Sequence, residues 1–290
     1  TLLLLLPTFY KIRLQFDGAL WRRMVRWAFP LVIVGLAGVV NQSIAVPLQK
    51  WRLGQDVMDN LAQAGVYAAA AKLALLMNLF AVAFNFAAEP FFFSHAERAD
   101  ARTIYSDVAH AFTIAACTLL LALTGWIELV QYLLGADFRA AIHLVPVLLF
   151  AYLMLGLYYN FSIWYKLSDH TWYGAWIAAG GAVVTFAINW FLLPQTGYAA
   201  SAWAALACYT FMNAACLLLG RKLFPVPYRL RRMAAYLLIT LALVALMQWG
   251  RATWPMALPW RLTLHSALVV LFLATAWWTD RPALLRYWKG

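Results

Sequence analysis

The stretch from Ala64 to Phe93, AGVYAAAAKLALLMNLFAVAFNFAAEPFFF, decides how the chain folds. It is long and apolar enough to cross a lipid bilayer, yet it carries Lys72, Asn78, Asn85 and Glu89. A charged side chain at the centre of a membrane helix costs roughly 2.5 to 3.5 kcal/mol, so such groups usually face a bundle interior or a watery cavity. The stretch therefore predicts a membrane helix with a polar, functional face.

A helical wheel divides these polar residues between two faces. At about 100° per residue, one sector roughly 80° wide holds small and polar side chains: Tyr67, Ala71, Ala74, Asn78, Ala81, Asn85 and Glu89. Lys72 points about 120° away from that sector and has different neighbours. The polar sector either lines a substrate cavity or is a packing seam in which asparagines bond to other helices.

The composition predicts an all-α polytopic membrane protein. The chain is 65% hydrophobic and 11% charged, whereas charged residues make up about 25% of soluble domains. Eight apolar runs are each near the ~20 residues that a bilayer core requires. The predicted spans are 28–47, 64–92, 108–129, 142–164, 173–193, 198–219, 233–249 and 260–278.

The basic residues set the orientation. Most of the 22 Lys and Arg residues fall in the connections on one side of the predicted spans, and the positive-inside rule makes that side cytoplasmic, together with the C-terminus. The net charge of +11 is dispersed among short loops. This pattern fits anionic membrane lipids and argues against nucleic acid as a partner.

Two further spans carry polar or aromatic groups. Asn41 and Gln42 lie toward the end of the first span, where they either line a cavity or bond to another helix. Tyr159 and Asn160 belong to an aromatic segment of the fourth span that forms either a membrane-interface belt or a surface on which sugars stack. The other members of that segment are Tyr158, Trp164 and Tyr165.

Two more interpretations concern single polar positions. Asn189 lies inside the fifth span, where hydrogen bonding to a neighbouring helix is the default interpretation. Lys166 and Asp169 are interpreted as interfacial, solvated residues.

Catalytic signals are weak. The three cysteines, Cys117, Cys208 and Cys216, lie in apolar runs and are interpreted as small core residues. The sequence has no HExxH, CxxC or Gly-rich phosphate loop, and Glu89 is the only carboxylate well inside a predicted span. We therefore expect no metal, no cofactor and no enzymatic activity.

Over residues 16–232 the sequence resembles the C-terminal half of bacterial polysaccharide-biosynthesis flippases of the multidrug/oligosaccharidyl-lipid/polysaccharide exporter superfamily. The resemblance is carried by the stretches 64–93 and 133–206. Its elements are Gly65-x-Tyr67, Lys72, Glu89-Pro90-Phe91, Lys166-x-x-Asp169-x-Thr171-x-x-Gly174, Asn189 and Gly197-Tyr198.

The resemblance implies a carrier of about fourteen helices in two lobes, of which this chain would be helices seven to fourteen. Residues 1–10 would end the preceding helix, 11–27 would be a cytoplasmic interfacial linker, 28–220 the six-helix C-terminal lobe and 221–290 two additional helices. The N-terminal lobe would be missing, and the chain is expected to be a fragment. The implied location is the bacterial cytoplasmic (inner) membrane.

The implied activity is translocation of undecaprenyl-pyrophosphate-linked oligosaccharide by alternating access, with the N-terminal lobe and glycan-assembly proteins as partners. Lys72 would meet the pyrophosphate, and Asn78, Asn85 and Glu89 would line the glycan cavity. Family relatives tend to carry an acid and an Asp-Arg pair where this chain has Asn41-Gln42-Ser43-Ile44-Ala45-Val46. The alternatives are a multidrug antiporter coupled to H⁺ or Na⁺, a membrane-embedded glycan-assembly enzyme and a structural membrane subunit.

Overall fold

The computed structural model describes residues 16–254 and 256–284, and this part of the chain is helical, without strands. The helices are α1 Gly18–Ser43, α2 Ala45–Arg52, α3 Val57–Ser94, α4 Ala101–Gly125, α5 Ile127–Val130, α6 Val145–Phe161, α7 Ile163–Leu167, α8 Thr171–Thr196, α9 Ala199–Leu223, α10 Leu230–Thr253 and α11 Leu258–Leu284. Two 3₁₀ segments, Gln131–Leu133 and Ala136–Leu144, lead into α6.

Eight helical segments in the described part are long and apolar enough to cross a membrane. They are Gly18–Ser43, Val57–Ser94, Ala101–Gly125, Ala136–Leu167, Thr171–Thr196, Ala199–Leu223, Leu230–Thr253 and Leu258–Arg281. For the described residues, the prediction of an all-helical chain with eight helices long and apolar enough to cross a membrane is confirmed. Most of the helices extend beyond the predicted runs, because helical structure continues into the polar segments that flank an apolar core.

The start of α1 falls within residues 11–27, the segment predicted as an interfacial linker. The Asp17 side chain caps the helix by accepting hydrogen bonds from the backbone N–H groups of Ala19 and Leu20, at 2.8 and 3.1 Å. Residues 18–27 are thus the first turns of a helix that runs directly into the first span. Residues 1–15, including the predicted end of a preceding helix, lie outside the described residues.

The helices α3, α4, α6 and α9 supply most of the buried core. α6 packs against α3, α4 and α9, while α1 packs against α8 and α8 against α9. The last two spans, α10 and α11, both pack against α4. Small residues permit the closest approaches, since a Cβ added to Gly156 of α6 would lie 2.2 Å from the ring of Phe112 in α4.

The bundle has two ends, and each end holds a different set of connections. The basic end holds the connections around residues 95–100, 168–170 and 224–229. The opposite end holds those around residues 53–56, 126–135, 197–198 and 254–257.

Candidate functional site

The polar sector of α3 faces inward, as the helical wheel predicts. Ala74, Asn78 and Ala81 are buried, and α3 packs there against α6. Tyr67 is buried nearer the opposite end, and Asn85 is half-buried nearer the basic end. The Asn78 Oδ1 atom is buried without a hydrogen-bond partner. This face therefore offers polar groups mainly to the interior of the bundle.

Glu89 lies at the basic end of the same face and forms an ion pair. Its Oε2 atom is 2.8 Å from Lys166 Nζ of α7 and accepts a longer hydrogen bond, 3.4 Å, from Asn85 Nδ2. Lys166 is thus paired and largely buried, and the prediction that it is solvated is wrong. Both side chains keep some exposure, 31% for Glu89 and 15% for Lys166, so the pair contributes about 1 kcal/mol or less.

Lys72 lies on a different face from the polar sector, and it is exposed. It has no hydrogen bond, ion pair or ring contact with any residue of the described part. At 1.5 Å per residue it is roughly 20 Å along the helix from Asp59 and about 26 Å from Glu89. The ammonium group therefore stands near the middle of a membrane-length helix.

The residues around Lys72 on this exposed face are apolar. Leu76, Leu79 and Phe86 follow it along the helix and are exposed, Phe86 at 74%. The result is an apolar stripe with a single cation in it, on the side of α3 that no described helix covers. A charge in such a setting is costly unless a ligand, water or another protein segment meets it.

A small polar cavity lies between α1, α3, α6, α8 and α9, and we call it the amide cavity. Its volume is about 20 Å³, which is enough for one water molecule. It is lined by Asn41, Gln42, Ala45, Tyr67, Leu148, Ala151, Tyr152, Thr185, Asn189, Ser201, Ala205 and Tyr209.

A chain of hydrogen bonds forms one wall of the amide cavity. Gln49 Nε2 of α2 donates to Ser201 Oγ at 2.7 Å, and Ser201 Oγ donates to Asn189 Oδ1 at 2.6 Å. Asn189 Nδ2 in turn donates to the Thr185 carbonyl at 2.8 Å. The predicted hydrogen bond from Asn189 to a neighbouring helix is confirmed. Sequence reasoning missed Gln49, which it placed in the loop after the first span.

Asn41 occupies another wall of the cavity. Only 6% of this residue is exposed, and neither amide atom has a hydrogen-bond partner. Its neighbour Gln42 also lines the cavity but is exposed. Of the two interpretations left open for Asn41, cavity lining fits an amide that makes no bond to another helix.

The aromatic segment of the fourth span lies mainly in the core. Tyr158, Trp164 and Tyr165 are at most 2% exposed, and the hydroxyls of Tyr158 and Tyr165 are 3.0 Å apart. These three rings therefore form neither an interface belt nor a surface for sugars. Asn160 is also buried and donates to the Gly156 carbonyl of its own helix at 2.9 Å, which leaves Tyr159 as the half-buried member.

Two charged clusters, which we call the charged seam, join α10 and α11 to α4 and to the short helix α5 that follows it, and the sequence did not identify them. At the basic end, Asp280 is surrounded by His110, Arg232 and Tyr236. At the opposite end, Glu128 is 3.3 Å from Arg251 Nε and 3.4 Å from Arg261 Nη1. The sequence showed His110 as a titratable residue inside the predicted span 108–129. Asp280 lies just after the end of the last predicted span, 260–278, and was therefore not recognised as a buried acid.

Two groups outside the spans have perturbed acidities. The hydrogen bonds from Arg98 lower the pKa of the exposed Asp100 carboxyl below its ordinary value. Tyr228 lies in the connection between α9 and α10, and its ring packs edge-on against Phe161 of α6. Burial raises the pKa of its phenol. Neither group lies on the polar face of α3 or on the amide cavity, so neither bears on the candidate site.

Within residues 16–254 and 256–284, no three His, Cys, Asp or Glu side chains are grouped to hold a metal ion. Comparison of the chain with protein-family models, with curated proteins and with solved structures finds no match.

Proposed function

We propose that this chain is part of a membrane carrier that moves an undecaprenyl-pyrophosphate-linked oligosaccharide across the bacterial cytoplasmic (inner) membrane. The observation that carries the proposal is Lys72, an exposed and unpaired cation midway along a membrane-length helix. Leaving such a cation against lipid costs several kcal/mol, so it is retained where something anionic or hydrated meets it.

The surroundings of Lys72 match the chemistry of a prenyl-linked pyrophosphate. A Lys ammonium is a compact charge that pairs with phosphate oxygens in a low-dielectric site. The apolar stripe formed by Leu76, Leu79 and Phe86 suits an isoprenoid tail that stays at the lipid boundary. Cation and stripe on one helix face are therefore what an amphiphilic, anionic lipid requires.

The glycan is assigned to the inward face of α3. Asn78 is buried and Asn85 is half-buried in the packed bundle, so hydrogen bonds from both to a sugar need α3 to separate from the helices that pack on this face. Alternating access by rocking of lobes or bundles provides such an opening. In this proposal Glu89 and Lys166 close the basic end, and an N-terminal lobe, which the family resemblance implies, covers the exposed face of α3. Glycan-assembly proteins are the further partners.

The test is substitution of Lys72 in the full-length protein, in a bacterium whose surface glycan depends on it. Lys72→Ala should reduce glycan export at least tenfold while the protein still inserts in the membrane, because the pyrophosphate loses its cation. Lys72→Arg, which keeps the charge, should retain part of the export. Glycan on the cell surface and protein in isolated membranes are measured together.

The matched control is Lys222→Ala, which removes an exposed lysine at the basic end of α9. It should leave export unchanged. Undiminished export by Lys72→Ala would overturn the role of Lys72 and, with it, the observation on which the proposal rests.

A second candidate, a cation-coupled multidrug antiporter, is favoured by one specific observation. Such exchange uses an acid buried among the spans, and Asp280 is fully buried between α4, α10 and α11. If removal of the protein sensitises cells to cationic drugs and leaves the surface glycan intact, the antiporter replaces the flippase.

A further inference from the structure

Asp280 lies near the end of α11 with none of its surface exposed and is surrounded by side chains from two other helices. Its Oδ2 atom is 2.9 Å from His110 Nε2 of α4 and accepts a 2.5 Å hydrogen bond from the Tyr236 hydroxyl of α10. Its Oδ1 atom accepts from Arg232 Nη1 of α10 at 2.8 Å. A buried carboxylate with this many donors is held as an anion at a junction of three spans.

His110 is the side chain of this cluster that has two ring nitrogens, each of which can carry a proton. Its side chain is 3% exposed, and the Nε2 atom faces the Asp280 carboxylate. Both ring nitrogens are buried and neither meets hydrogen-bond geometry, but Nε2 lies at ion-pair distance from the Asp280 carboxylate. We therefore place the proton of the neutral ring on Nε2, which leaves the Nδ1 lone pair to accept a second proton.

The charges around His110 leave room for that second proton. Arg232 and Asp280 balance each other, so the cluster is neutral when the imidazole is neutral and carries one positive charge after proton uptake. One turn earlier on α4, Asp107 is 2.6 Å from Arg229 of α10. On α11, Arg281 follows Asp280 and is exposed.

The other helices packed on α4 approach it through apolar groups. The ring of Phe112 in α4 packs against Phe80 and Phe84 of α3, and Gly156 of α6 approaches the same ring. The cluster reaches water at the basic end through two residues. The Arg232 side chain is 59% exposed, and the Thr279 hydroxyl lies 2.6 Å from the Tyr236 hydroxyl.

We propose that His110 and Asp280 form a proton-binding site that joins the α10 and α11 helices to α4. A proton from water at the basic end bonds to the Nδ1 lone pair, while the Nε2 proton stays on Nε2 and faces the Asp280 carboxylate. The packed bundle offers the new Nδ1–H no acceptor, so uptake draws water into the junction. This inference does not depend on the carrier proposal, because it concerns the protonation of one side chain.

The test is a titration of the histidine side chains by ¹⁵N NMR, with the full chain in lipid nanodiscs between pH 5 and 8. The His110 signal is assigned by its loss in His110→Gln. We expect it to change reversibly from the neutral to the doubly protonated form within this range. In Asp280→Asn the midpoint should move at least one pH unit lower, because the cation loses its carboxylate partner.

Two further variants keep the result interpretable. Tyr236→Phe removes one hydrogen-bond donor from Asp280 and is a milder change, so it serves if Asp280→Asn does not fold. In Tyr236→Phe the midpoint of the His110 signal should move to higher pH. His265→Gln alters the buried histidine at the opposite end and should leave the His110 midpoint unchanged. A His110 ring that keeps one protonation state from pH 5 to 8, or that titrates identically in the Asp280 and Tyr236 variants, would overturn the proposal.

Discussion

The amide cavity and the charged seam are both buried polar regions, but they differ in how completely their groups are paired. In the amide cavity the groups are neutral, and Asn41 leaves both amide atoms without partners. In the charged seam both carboxylates are paired: Glu128 with arginines of α10 and α11, and Asp280 with side chains of α4 and α10. An unpaired neutral amide costs about 1 to 3 kcal/mol, whereas an unpaired buried charge costs far more.

The difference indicates two separate roles inside one bundle. Charges that are paired on α4 at one end and on α5 at the other fix α10 and α11 in place, and a variant that removes one charge leaves its partners buried without a counter-charge. Amides around a cavity can exchange one partner for another at little cost. The free energy of unfolding of single-residue variants tests this contrast.

Asp280→Ala should have the largest effect, a loss of about 3 kcal/mol or more, because His110, Arg232 and Tyr236 all lose their common acceptor. Chemical unfolding in detergent micelles measures the change. Arg281→Ala, which alters the exposed neighbour, is the control and should change stability by less than about 0.5 kcal/mol. Equal stability of the two variants would show that the charged seam does not fasten α11.

Asn189→Ala should have an intermediate effect of about 1 kcal/mol, since Ser201 loses its acceptor in the wall of the amide cavity. The same unfolding measurement applies. Gln195→Ala removes an exposed amide from the same helix and should be neutral. If Asn189→Ala were as damaging as Asp280→Ala, neutral and charged groups would not differ in the way we infer.

Asn41→Leu should have the smallest effect, within about 0.5 kcal/mol of the unchanged protein or slightly stabilising, because no hydrogen bond is lost. Its control is Gln42→Leu at the exposed neighbouring position. A loss of more than about 1 kcal/mol for Asn41→Leu alone would contradict this prediction and would mean that Asn41 bonds to water held in the cavity.

The sequence predicted those features that depend on composition and helical period. The eight spans follow from apolar runs, and the inward face of α3 follows from the spacing of Ala74, Asn78 and Ala81. The meeting of His110 with Asp280 could not be predicted in this way, because the two residues are far apart in the chain and their contact depends on how three helices pack. Tyr158 and Tyr165 were misjudged for a similar reason, since an aromatic ring in a membrane helix suits a core as well as an interface.

The contact of Gly156 with Phe112 also governs how the bundle can move. A Cβ at position 156, besides meeting the Phe112 ring, would lie 3.0 Å from Ala81 Cβ, so α3, α4 and α6 touch at one level with no spare space. Their amides should be among the slowest to exchange with deuterium. In α1 only 11% of the most apolar stretch is buried, compared with 61% in α4. The backbone amides of α1 should therefore exchange first. Movements of the bundle can thus begin at α1, and any separation of α3 from α6 must break the contacts that Gly156 makes with Phe112 and Ala81.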